Sequence, residues 1–210
     1  MIWIAGLCAV CLGICLPLFM HYKKTTHLLL AASYKSLGTL CSLVLALTAA
    51  IRLDLRCYIL VAAIALYAAA DFILEYEFLL GAGFFLFGHI CSIAYFLGLS
   101  PLSPFHFISL LLLGGTIALV MYRWRKPIGK QMPAFIIYGI SLVSMSACAV
   151  SCFSAGTSGI LIACGGALFC FSDFLLLRRL LFPSSPLLHW AVMITYYSSV
   201  LLFGSASLLL

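Results

Sequence analysis

The segment Leu66 to His89, LYAAADFILEYEFLLGAGFFLFGH, decides the fold. Its second half, from Phe78 onward, is apolar on every face, as a helix surrounded by lipid or protein must be. Its first half is equally apolar except for one carboxylate, Asp71, and the polar residues Glu75, Tyr76 and Glu77 separate the two runs. The same pattern fills the chain. With 66% hydrophobic and 8% charged residues in 210, and a mean hydropathy of +1.26, its apolar surface exceeds what a soluble core can hide.

A bilayer crossing takes about 20 mostly apolar residues. Eight such stretches lie between polar breaks: Ile2 to Met20, Leu28 to Ala50, Tyr58 to Leu74, Phe78 to Leu97, Phe107 to Met121, Ala134 to Phe153, Gly159 to Leu177 and Leu188 to Leu208. The expected fold is therefore an all-α integral membrane protein, a bundle of about eight transmembrane helices forming one domain over residues 1–210. No basic residue precedes the first apolar run and no small-residue cleavage site follows it, so it reads as a retained span rather than a signal peptide.

The net charge of +6 has a topological meaning here. Lys23, Lys24, Arg123, Arg125, Lys126, Lys130, Arg178 and Arg179 fall in the first, third, fifth and seventh breaks or at their edges, against Arg52 and Arg56 in the others. The more basic face is expected in the cytoplasm, with both termini outside, in the cytoplasmic membrane of a bacterium. Charge placed this way points to no nucleic-acid partner. Of the ten cysteines, all but Cys57 lie within apolar spans, where thiols behave as small hydrophobes. Neither disulfides nor a bound metal is expected.

Polar residues inside spans are costly and single themselves out. Lys35 lies about eight residues into the second span, some 12 Å along a helix. It is either an ammonium that snorkels back to the interface or a functional one. Tyr67, Asp71 and Glu75 share one stripe at i, i+4, i+8, with Glu75 and Glu77 expected to be solvated at the rim. His89 sits near the middle of the fourth span, as a packing partner or a functional group.

The seventh span restates the opening feature: Ser172-Asp173-Phe174-Leu175-Leu176 parallels Ala70-Asp71-Phe72-Ile73-Leu74. The acids are 102 residues and four spans apart, and Tyr95 and Tyr197 each follow 24 residues later. An internal parallel repeat of four helices and a chance match of short apolar words both account for this. By helix direction, Lys35, Asp71, Asp173 and Tyr196-Tyr197 all fall in the basic half, with His89 deeper, which implies one polar pocket in the cytoplasmic leaflet. Three uses stay open for the two acids: an enzyme's acid–base pair, a proton-coupled carrier of small molecules or lipid, or hydrogen bonds that fix the bundle.

The runs DFILEYEFLLGAGFFLFGHICSIAYF (71–96), SDFLLLRRLLFPSSP (172–186) and TYYSSVLLFGSAS (195–207), with Tyr138 and Met145 seven residues apart, together resemble the YhhN family of membrane lysoplasmalogenases. The chain departs from the family pattern at Ala70-Asp71, where the family has Gly-Asp. Lys35-Ser36 replaces Lys-Pro, and Ser198 and Ser199 stand where a Gln is usual. The resemblance implies hydrolysis of the vinyl ether of a lysoplasmalogen to a fatty aldehyde and a glycerophospho-alcohol, with water as co-substrate and no cofactor. Asp71 and Asp173 would then be the acid–base pair. Lys35, Arg178 or Arg179 would hold the lysophospholipid phosphate, while His89 and Tyr197, beside Tyr196, would order water or orient an acid. The head-group preference and oligomeric state are not encoded in any of these motifs.

Overall fold

A computed structural model describes residues 2–209. The first helix, α1, is a single rod over 2–24, with a π-helical stretch at Cys11–Cys15 between Ile2–Val10 and Leu16–Lys24. The others are α2 (Leu28–Arg52), α3 (Cys57–Ile73), α4 (Phe78–Leu99), α5 (Pro104–Arg123), α6 (Met132–Ser151), α7 (Gly156–Leu181) and α8 (Pro186–Ala206). Among the described residues, seven helices are long and apolar enough to cross a membrane. This is a multi-pass membrane protein. The eighth, α3, has 17 residues, about 25 Å at 1.5 Å per residue.

The fifth helix begins at Pro104, ahead of the expected Phe107. Ser103 caps it: its backbone N–H donates to His106 Nδ1 at 3.1 Å, and its hydroxyl lies 3.0 Å from the same atom. The turn between α1 and α2 contains Thr26, at φ 61°, and α1 runs on to Lys24, past the expected end at Met20.

The main packing partners form a ring, α2–α3–α4–α6–α7–α8 and back to α2, with α1 outside α2 and α5 outside α6. Lipid offers no hydrophobic drive for helix association, so close packing and interhelical hydrogen bonds must hold such a ring. Ser36 Oγ donates to Ala68 O across α2 and α3 at 2.8 Å, and Ser199 Oγ to Gly165 O across α8 and α7 at 2.7 Å. Ser172 Oγ donates to Val192 O between α7 and α8 at 3.0 Å. Where α2 crosses α8, Gly204 faces Ser42: a Cβ on that glycine would stand 2.7 Å from Ser42 O.

Candidate active site

Within the ring lies a cavity of about 780 Å³, inside the range usual for small-molecule sites. It reaches the end of the bundle that carries the α3–α4 and α7–α8 turns, where Lys23, Glu75, Arg179, Ser184 and His189 line it. Phe85, Tyr138 and Tyr196 line its inner wall. Behind them Phe169 is fully buried, with its ring centre 5.3 Å from Tyr67, 5.6 Å from Tyr196 and 5.2 Å from His89. Asp71 from α3 and Asp173 from α7, opposite members of the ring, both face this cavity.

The two carboxylates have different surroundings. Asp71 is 1% exposed, and its Oδ2 accepts hydrogen bonds from Thr39 Oγ1 at 2.5 Å and Tyr196 Oη at 2.7 Å. Its Oδ1 is 3.8 Å from Lys35 Nζ. Asp173 Oδ2 accepts one hydrogen bond, from Tyr138 Oη at 2.5 Å, and among the described residues no Lys, Arg or His nitrogen comes within 4.0 Å of it. The site therefore pairs a carboxylate matched with an ammonium and two hydroxyls with one that has a single phenol. Among the described residues no group of three or more His, Cys, Asp or Glu converges as a metal site would require.

The YhhN family model matches residues 30–206, which takes in α3 to α8 and all but the first two residues of α2. The chain belongs to the YhhN family. No curated protein and no solved structure matches it.

In this YhhN protein, Lys35 does not snorkel to the lipid interface. It is 7% exposed and donates to Glu75 Oε1 at 3.0 Å while facing Asp71. Glu75 corrects the sequence expectation outright. Its side chain is 4% exposed, and a second ion pair from Lys23 closes over Oε2. The chain folds back just past Ile73, so Glu75 prolongs the Tyr67–Asp71 stripe inward rather than reaching solvent. Burial pushes the Glu75 carboxyl up, but the Lys35 and Lys23 ammonium groups outweigh it and hold the group below the usual range. Glu77 is exposed, as expected.

Arg179 lines the cavity mouth, whereas Arg178 is exposed to the outside of the helix. Tyr196 contacts Asp71 directly. Tyr197 points the other way: its hydroxyl donates to Lys35 O at 2.8 Å and its ring fills the space over Gly38, pinning α8 to α2. Tyr95, its counterpart in the repeat, lies instead 3.8 Å from Cys57 Sγ. His89 is fully buried behind the aromatic wall, with Nδ1 3.1 Å from Ser141 Oγ and Nε2 without a hydrogen-bond partner among the described residues.

Thr39 is a site residue that motif reasoning passed over, and Tyr138 counted toward the family resemblance without being given a place in the site. Thr39 had one legible signal, its place one turn beyond Lys35 on the same helix face. Membrane threonines so often bond their own helix that it carries little weight.

Proposed function

We propose that the protein hydrolyses the vinyl ether bond of lysoplasmalogens, with Asp173 as general acid and Asp71 as general base. The observation that carries this reading is the unequal pair of carboxylates facing one cavity, Asp71 buried and Asp173 half-buried. An unpaired charge is costly away from water, and Asp173, with a single phenol as partner, is the member that holds the proton. Asp71, matched by Lys35, Thr39 and Tyr196, is the carboxylate.

The slow step in vinyl ether cleavage is proton transfer to carbon. Asp173 delivers its proton to the β-carbon of the enol ether, and positive charge develops on the carbon bonded to oxygen. The Asp71 carboxylate offsets that charge and takes a proton from the water that attacks it, giving a hemiacetal. Collapse of the hemiacetal passes the Asp71 proton to the departing glycerol oxygen and the hemiacetal proton to Asp173. Both residues return to their starting states, and the products are the aldehyde and the glycerophospho-alcohol. This division of labour resembles that of paired-carboxylate glycosidases. Lys23 and Arg179 at the mouth suit a phosphate, and Tyr138 orients Asp173.

Purified protein in detergent is expected to release aldehyde from an alkenyl lysophospholipid. Asp71→Asn and Asp173→Asn should each lower kcat by at least 100-fold, the scale of a lost acid or base, while leaving thermal unfolding cooperative. Full activity in either variant would remove the pair mechanism. Two intramembrane acids facing one cavity also suit a proton-coupled carrier. If the wild type cleaves no ether or ester lysolipid yet moves protons in liposomes, that second reading replaces the first.

A further inference from the structure

The outer surface of the bundle carries a second concavity, a groove of about 550 Å³ between α5 and α6. It is lined largely by apolar side chains, among them Leu110, Ile136 and Val143, and its mouth faces where lipid would be. Three residues, Ile117, Met121 and Gly139, line both this groove and the central cavity. Only one layer of residues thus separates the central cavity from the outer groove. Gly139 contributes no side chain to that layer, and a Cβ there would only touch Ile117 Cγ2 at 3.6 Å. Met121 is unbranched and adapts easily to a neighbouring chain.

The matching seam in the first half of the molecule is shut. Shifting by 102 residues sets Cys15 on Ile117 and Phe19 on Met121. Cys15 and Phe19 are 0% and 1% exposed, and the Phe19 ring is wedged against His189 at 5.5 Å and under the Lys35 ammonium at 5.7 Å. In the second half, Trp124 stacks on Phe174 at 5.6 Å and ties the end of α5 to α7, away from the three residues shared by the cavity and the groove.

We infer that the α5–α6 seam is the binding site for the substrate's hydrocarbon chain, which runs from the central cavity past Ile117, Met121 and Gly139 into the outer groove. This deepens the hydrolase assignment and rests on it. The occupant is a single unbranched hydrocarbon chain because both concavities are lined largely by apolar side chains and the partition between them, Ile117, Met121 and Gly139, is one residue deep. The head group stays at the polar mouth, where Lys23 and Arg179 lie.

The test compares alkenyl lysophospholipids carrying chains of 18 and 8 carbons. On this assignment the chain of 8 ends within the central cavity and the chain of 18 extends into the seam. Ile117→Trp should lower the ratio of kcat/KM for the long over the short substrate at least tenfold. Ile136→Trp, at an exposed position that lines only the groove, should lower it in the same direction, and it guards against a folding defect at Ile117. A ratio within twofold of wild type in both variants would overturn the inference.

A second measurement does not depend on turnover. A saturated 1-O-alkyl lysophosphoethanolamine with a diazirine at its chain end should label α5 and α6 between residues 110 and 144. Excess unlabelled alkyl lysophospholipid should suppress the labelling, and Ile117→Trp should shift or abolish it. Labelling that competitor does not suppress, or that falls on α1 and α2, would overturn the inference. Failure to hydrolyse any lysolipid would remove the enzymatic function while the labelling still decides the seam.

Discussion

Lys35 stands between two acids one helical turn apart, 3.0 Å from Glu75 and 3.8 Å from Asp71, and Lys23 completes the row on the solvent side. The Tyr67–Asp71–Glu75 stripe was legible from spacing alone. That Glu75 is enclosed was not, because its burial depends on α1 bringing Lys23 across from a distant part of the chain. A consequence concerns acid stability. The Glu75 carboxyl lies below its usual range in the folded protein, so its contribution to stability is complete above about pH 4.3, the unfolded value, and is lost as pH falls through the folded value. Wild type should therefore unfold at a higher temperature than Glu75→Gln at pH 7, and the gap should narrow by pH 3. Thermal unfolding in detergent at both pH values measures this, and a gap of the same size at each would mean that the two lysines do not hold Glu75 as an anion.

At the scale of helices, composition and break residues sufficed to locate all eight helices, seven of them long and apolar enough to cross a membrane, because a lipid-facing rod must be apolar for its full length. Their ends depended on local chemistry that hydropathy does not register, such as the Ser103–His106 cap and the left-handed Thr26. The π-helical stretch at Cys11–Cys15 had no signal in its sequence, CLGIC. Which helices touch was equally hidden, since apolar faces carry no address. The address lies in small residues. At the α2–α8 crossing, Gly204 lets the backbones meet, and an added Cβ would stand 2.6 Å from Ser42 Oγ and 2.7 Å from Ser42 O. Because backbone as well as side chain must shift, Gly204→Ala should cost about 1–3 kcal/mol. Gly98→Ala, where nothing lies within 4 Å, should be neutral or slightly stabilising. Thermal unfolding of the two variants side by side checks this, and equal midpoints would mean that the two backbones do not meet closely at Gly204.

Across the whole molecule, the principal helix contacts map onto themselves when every helix number rises by four: α1–α2 onto α5–α6, α2–α3 onto α6–α7, α3–α4 onto α7–α8, and α2–α8 onto α6–α4. Adding 102 to the residue numbers carries Asp71 to Asp173 and Tyr67 to Phe169, so each half contributes one acid above one buried ring. The halves differ where the chemistry would need them to, with ammonium and hydroxyl partners at Asp71 and a lone phenol at Asp173. Charge is also unequally divided between the two ends of the bundle. The end with the cavity mouth holds Lys23, Lys24, Arg123, Arg125, Lys126, Lys130, Arg178 and Arg179, and the other holds Arg52 and Arg56. Basic residues in short loops are retained on the cytoplasmic side, so the mouth is expected to face the cytoplasm, with both ends of this chain on the opposite side. Fused at its C-terminus to alkaline phosphatase and, separately, to green fluorescent protein, the chain should give an active phosphatase and a dark fluorophore. The reverse pattern would turn the bundle over and require substrate to arrive from the outer leaflet, because the cavity mouth and the basic loops lie at the same end.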